Sequence, residues 1–282
     1  MMLDIRHKIG IIGLGNMGSV IASRLAEESG EYKVLAFDKD KNKTGISSLE
    51  IAKDLSSLVA AVDIILLAVK PQDIDHLLKE LKNCSGSKLI ISIAAGISTR
   101  YLEKVLGNAR VIRAMPNIAV KIQESVTCLC KGGFATESDL DFARELFSYL
   151  GTARNIDEGL MNAATAISGS GPGYIFYFIE NSNMDSIDIP EHSRHDMMRR
   201  LEKAAEALGF PVEDASFLAA NTVNASLSLL KESGLKPEEL RAQVTSKGGT
   251  TERGLEVLRK GGSWEEAALA ATKRAEELSK RS

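Results

Sequence analysis

The chain has 282 residues, with 35 Lys and Arg against 38 Asp and Glu for a formal net charge of −3. That length favours two modest domains or one large one over a small stapled module, and charges scattered without a basic block argue against a nucleic-acid partner. Hydrophobic residues at 44% and charged ones at 26% match an ordinary globular protein in water.

Apolar runs such as 64–69 fall far below the roughly 20 residues of a membrane span, so no membrane partner is expected. The N-terminus reaches Asp4, Arg6, His7 and Lys8 at once, without the apolar core of an export signal. Cys128 and Cys130 stand two apart in a strand-like stretch and Cys84 is distant, a spacing that builds neither a disulfide framework nor a metal quartet. The expectation is a cytoplasmic protein with three buried thiols and no metal.

Residues 8–13 form a short apolar run ending in glycine, and 16–28 then carry Met17, Val20, Ile21 and Leu25 at helical spacing: strand, tight turn, helix. Apolar runs rich in β-branched residues recur at 33–38, 64–69, 88–93, 110–114 and 126–130, separated mostly by helix-like segments. This alternation predicts an α/β fold, a Rossmann-type doubly wound parallel sheet. Unbroken hydrophobicity in the Ile64 and Leu89 runs predicts strands covered on both faces. After Asp157 the strand-like runs stop, and helical periodicity predicts helices at 158–167, 174–180, 197–208, 212–230, 250–258 and 264–278. Residues 181–195 read as a polar excursion between helices. The expected domains are 1–156, binding a dinucleotide, and 157–282, all helical.

Gly13, Leu14, Gly15, Asn16, Met17 and Gly18 fit G-x-G-x-x-G directly after a strand and at a helix start. There the first glycine permits the turn, the second admits a pyrophosphate, and the third allows close helix–strand packing. Asp38 closes the second strand, where an acidic side chain binds the adenosine ribose and favours NAD; Lys39, Lys41 and Lys43 follow and suit a 2′-phosphate, which keeps NADP open. Ala68, Val69, Lys70 and Pro71 end one strand, and Ile93, Ala94 and Ala95 another, at the carboxyl edge where such sheets bind ligands. Pro116 imposes a turn that directs Asn117 toward the same edge.

In the helical half, Ser168, Gly169, Ser170, Gly171, Pro172 and Gly173 interrupt an Ala-rich stretch, at a cost in helix propensity that implies close approach to this backbone. Ser246, Lys247, Gly248, Gly249, Thr250 and Thr251 precede a helix and describe an anion seat, with glycines freeing backbone N–H groups and three hydroxyls adding donors. His192 and His195, three apart beside Glu191 and Asp196, suggest a metal only superficially and are expected to be solvated.

Together the segments 13–17, 68–72, 92–96, 113–117, 169–172 and 245–251 resemble, in order and over nearly the whole chain, the pyrroline-5-carboxylate reductases. That resemblance implies a homodimer or larger assembly with a C-terminal helical dimerisation domain, reducing the cyclic imine 1-pyrroline-5-carboxylate to L-proline with NADPH or NADH. It places the cofactor at Gly13, Leu14, Gly15, Asn16, Met17, Ala68, Val69, Lys70, Pro71, Ile93, Ala94 and Ala95. The substrate carboxylate falls to Ser246, Gly249 and Thr250, and the ring nitrogen to Thr251. Four departures stand out: Gly18 for the family's usual Ala, which reads as mild; Lys247 for Pro; Asn224 for Gly; and about twenty additional residues between Glu180 and Pro211.

Imine reduction needs a hydride at carbon and a proton on nitrogen, and a substrate arriving as the iminium needs no strong general acid. Hydroxyls and backbone donors around Thr251 suit that chemistry. The rival class, the β-hydroxyacid dehydrogenases, shares the Gly13 to Gly18 turn but uses a helical lysine as acid–base group, and no lysine occurs from Gly132 to Glu202. A non-catalytic nucleotide-binding protein is the third alternative.

Overall fold

A computed structural model describes residues 7–27, 32–82, 86–182, 184 and 188–279. Two compact units emerge: Met1–Ala114 with Leu129–Leu150, and Met115–Cys128 with Gly151–Arg281. The chain runs β1 (His7–Ile12), α1 (Asn16–Glu27), β2 (Tyr32–Phe37), β3 (Glu50–Ile51), α2 (Leu55–Ala61), β4 (Ile64–Leu67), α3 (Ile74–Leu81), β5 (Leu89–Ser92), α4 (Thr99–Leu106), β6 (Arg110–Met115), β7 (Ser125–Lys131), α5 (Glu137–Ser148) and β8 (Gly151–Asn155). It continues through α6 (Met161–Ala164), α7 (Gly171–Glu180), α8 (Glu191–Ala207), α9 (Val212–Ser233), α10 (Pro237–Val244), α11 (Thr250–Arg259) and α12 (Trp264–Ser279).

The strands follow the order β3-β2-β1-β4-β5-β6-β7-β8, and those from β3 to β6 pair in parallel. A 3-2-1-4-5-6 order is that of dinucleotide-binding sheets, with the ligand crevice beside the first strand, where the order reverses. Every residue of β4 and β5 is buried, as expected of strands covered on both faces. Leu58 and Val59 of α2, Leu78 and Leu81 of α3 and Leu102 of α4 share one core with Ile65, Ile90 and Val111, each worth about 1.5–3 kcal/mol on burial.

A reciprocal cap starts α5. Asp139 Oδ2 accepts from Thr136 N–H at 2.8 Å, and Thr136 Oγ1 accepts from Asp139 N–H at 3.1 Å. The other oxygen of Asp139 takes Arg110 Nη1 at 2.7 Å, tying β6 to α5. Cys128 and Cys130 are buried, and burial pushes the Cys128 thiol up to about 12; Cys84 lies outside the described residues.

Several expectations shift. The 158–167 helix is two short pieces, a 3₁₀ turn at Glu158–Leu160 and α6, running into a π-helical turn, Thr165–Gly169, so the glycine segment bulges the helix without ending it. The polar excursion stops at Pro190, the N-cap of α8, whose carbonyl accepts from Ser193 N–H at 3.0 Å and Arg194 N–H at 3.1 Å. Met197, Leu201, Ala204 and Ala205 form the buried stripe of that helix. His192 and His195 therefore sit on an exposed helical face, His195 with Nε2 3.4 Å from Glu191 Oε1. Helix α10 was not expected and separates α9 from the loop before α11; Asn224 is exposed on α9.

Replacing Asp139 by Ala removes acceptors from Thr136 N–H and Arg110 together and lowers stability by about 2 kcal/mol, read as a lower urea midpoint with unchanged m-value.

Candidate functional site

Parallel pairing carries the predicted cofactor residues to one edge. Gly13 N–H donates to Phe37 O at 2.8 Å, Ala68 N–H to Ile12 O at 2.8 Å, and Ile93 N–H to Leu67 O at 3.0 Å. Asp38, Gly13, Ala68 and Ile93 thus succeed one another just beyond β2, β1, β4 and β5. Gly13 has φ +101°, and a Cβ there would lie 2.8 Å from the Ala68 carbonyl, so only glycine serves. At Gly15 a Cβ would meet nothing within 4 Å, leaving open space beside the start of α1, whose first N–H groups have no intrahelical partner. A helix start with an open glycine in front suits a pyrophosphate, and the cradle fits a dinucleotide. Leu14 contributes differently from its neighbours: its side chain is buried and its N–H is spent on Asp38 Oδ2 at 2.7 Å.

Asp38 also accepts from Asp40 N–H at 2.8 Å, and Lys43 Nζ lies 3.9 Å away. The carboxylate is therefore part of the loop's framework as well as a candidate ribose acceptor. Lys39 is engaged elsewhere, with Asp73 at 2.7 Å. Ala68 packs against the glycine loop, Val69 is half-buried, Lys70 is exposed at the head of the short 3₁₀ turn Pro71–Asp73, and Ala94 is buried with its N–H on Ser92 Oγ at 3.3 Å. Ile93 and Ala95 remain half-buried.

Gly18 corrects the sequence reading. A Cβ at this position would lie 1.9 Å from the Gly13 carbonyl oxygen and 2.9 Å from Ala68 Cβ. Its difference from alanine is structurally demanding, since α1 crosses the loop where no side chain fits.

Within the second unit, folding brings together residues 80 apart. Ser170 Oγ lies 3.0 Å from Thr250 Oγ1 and accepts from Thr251 Oγ1 at 3.2 Å. The close approach expected at the glycine segment is real: a Cβ at Gly173 would be 2.5 Å from Thr251 Cγ2, and one at Gly171 would be 3.2 Å from Thr222 Cγ2. Tyr174, fully buried beneath, meets the bare backbone of Gly254 and has its phenol pKa raised by burial, so it stays neutral.

Before α11, Gly249 N–H donates to Ser246 O at 2.9 Å and Gly248 N–H to Glu252 Oε2 at 2.7 Å. Both glycine donors are thus used inside the loop, which leaves the first N–H groups of the helix, those of Thr250 and Thr251 among them, to face an anion. Asn117, buried, uses Oδ1 to accept from Ala119 N–H at 3.1 Å and Val126 N–H at 3.3 Å, which caps the 3₁₀ turn Ile118–Ile122. Among the described residues its buried Nδ2 has no acceptor. Sequence reasoning missed Glu252 and Arg274 Nε, which donates to Gly248 O at 2.7 Å. A Glu three residues after an N-cap was the available signal for the first; nothing local marks the second.

A dinucleotide cradle on a parallel sheet, with a separate hydroxyl-lined helix start, defines a nicotinamide-dependent oxidoreductase. Residues 8–96 match the family model described as NADP oxidoreductase coenzyme F420-dependent, and residues 195–278 the one described as pyrroline-5-carboxylate reductase dimerisation. A pyrroline-5-carboxylate reductase of Methanosarcina acetivorans is 36% identical, over 98% of this chain and 99% of that one. Its namesake in Aquifex aeolicus is 34% identical over 90% of each. A crystal structure of Plasmodium falciparum pyrroline carboxylate reductase with NADP bound superposes with a TM-score of 0.65 at 26% identity, covering 98% of this chain and 100% of that one. The chain belongs to the pyrroline-5-carboxylate reductase family.

Two alanine substitutions in one loop should part company. Gly18→Ala costs about 1–3 kcal/mol through overpacking, measured by denaturant unfolding. Gly15→Ala leaves stability unchanged and weakens dinucleotide binding in a fluorescence titration; undiminished affinity there would remove the loop from the cofactor site.

Proposed function

We propose that this chain catalyses the NAD(P)H-dependent reduction of 1-pyrroline-5-carboxylate to L-proline, the last step of proline biosynthesis. The observation that carries the reading is the contact among the Ser170, Thr250 and Thr251 hydroxyls at the first turn of α11. Cofactor binding is assigned to residues 1–156 and subunit and most substrate contacts to residues 157–282, with Asn117, which belongs to the second compact unit, added on the substrate side. A homodimer or larger assembly, cytoplasmic and without nucleic-acid or membrane partners, completes the proposal.

NAD(P)H, when bound, supplies the hydride that adds to the imine carbon. The chain's own task is to hold the substrate. The N–H groups of Thr250 and Thr251, with the Ser246 hydroxyl, grip the carboxylate at the positive end of α11. The Thr251 hydroxyl hydrogen-bonds the ring nitrogen while Ser170 orients that hydroxyl. An iminium substrate brings its own proton, so positioning carries the rate. Asn117 Nδ2 offers a further buried donor to the substrate.

Thr251→Ala is expected to lower kcat by about 10- to 100-fold, the worth of a hydrogen bond to a charged group, with Thr251→Ser restoring most of it. Unchanged turnover in the alanine variant takes Thr251 out of the mechanism.

At the cofactor end, the Asp38 charge disfavours a 2′-phosphate, so NADH is the better donor by kcat/KM. Asp38→Ser shifts the NADPH to NADH ratio upward by about tenfold or more and lowers both absolute values, because Leu14 N–H loses its acceptor. Steady-state rates with both cofactors decide it, and an unmoved ratio would show that Asp38 does not select.

A further inference from the structure

The turn leading into α11 is held from outside by two side chains of opposite charge. Gly249 N–H closes it onto Ser246 O, and Gly248, its third residue, has φ +69°. Lys247, its second, is not among the non-glycine residues with positive φ. That is the pattern of a type II turn, in which the third position needs glycine and proline is favoured at the second. Glu252 Oε2 accepts from Gly248 N–H at 2.7 Å, and Arg274 Nε donates to Gly248 O at 2.7 Å. Arg274 is itself steadied by Glu277 Oε2, 2.7 Å from its Nη1. Both peptide groups that flank Gly248 are therefore fixed, one by each charge, through hydrogen bonds of the stronger, charge-assisted kind.

We propose that Glu252 and Arg274 are positioning residues, which lock the turn from Ser246 to Gly249 so that the N–H groups of Thr250 and Thr251 stay aimed at the substrate carboxylate. The proposal rests on the reading of this loop as the carboxylate seat. A carboxylate beside an anion site repels the ligand, so Glu252 earns its place mechanically, through Gly248, while Arg274 balances its charge. Lys247 explains the need. Proline at the second position would limit the unfolded turn and preset its φ; lysine leaves the turn unrestrained, and the two side chains supply the missing rigidity.

The test combines steady-state kinetics with amide hydrogen exchange on the full-length chain, with and without L-proline. Glu252→Ala is expected to raise KM for pyrroline-5-carboxylate about tenfold, the equivalent of about 1.4 kcal/mol, with kcat within about threefold and KM for the nicotinamide cofactor unmoved. Exchange at Gly248 rises in parallel. Glu252→Gln, which still presents an oxygen to Gly248 N–H, recovers most of the affinity, and so does Lys247→Pro in the Glu252→Ala background. Arg274→Gln releases the other peptide and should raise the same KM, an independent route if Glu252→Ala does not fold. An unchanged substrate KM despite faster Gly248 exchange overturns the locking role alone, as does tighter substrate binding in both Glu252 variants, which would mean that the carboxylate acts only by charge. If L-proline fails to protect the Thr250 and Thr251 amides of the unmodified protein, the seat itself is wrong and the proposal falls with it.

Discussion

A single van der Waals contact decides whether the helical half can work: the methyl group of Thr251 lies where any side chain at position 173 would have to be. Because Gly173 has none, α11 settles against α7 closely enough for Thr251 to reach Ser170, while Gly254 accommodates the Tyr174 ring from the other side. Helix propensity is sacrificed for proximity. The π-helical turn at Thr165–Gly169 belongs to the same arrangement, since an inserted residue re-aims the side chains that follow, Ser170 among them. Hydroxyls that would otherwise face water become a preorganised row, which is what the proposed reaction, run without a strong general acid, would depend on.

The sheet applies the same economy. At Gly13 and Gly18 the backbone of α1 and its entry loop pass within contact of Ala68, just past β4, so the helix start is fixed without a side chain of its own intervening. Gly15, in the same six residues, faces open space. Three glycines in one motif thus sit in three different surroundings, and only the middle one leaves open space in front of it.

Most of the first unit was legible because its signals are local and strong: continuous apolar strands, a glycine turn at a strand end, and helical spacing after it. The helical half was readable in kind but not in detail. Helix α10 is short and polar, and its one clear sign, Pro237 followed by Glu238 and Glu239, is easily taken for a loop. The start of α8 was masked by a polar first turn, whose buried stripe becomes visible only from Met197 onward. The loop from Ser246 to Thr251 was singled out as a candidate anion seat by its composition, whereas which N–H groups remain free in it was not legible, since that depends on Ser246 O, Glu252 and Arg274, partners that only the folded chain assembles. Gly18 showed the converse: a substitution that looks conservative on paper meets a carbonyl oxygen from five residues earlier and costs stability.

The bond from Leu14 N–H to Asp38 ties one carboxylate to the geometry of the glycine loop, and the proposed role as ribose acceptor would add a second duty to the same group. Coenzyme choice and loop geometry would then be coupled through a single side chain. On that reading any exchange at residue 38 also strips the Leu14 amide of its acceptor, and a second substitution that supplies a new one would restore the loop.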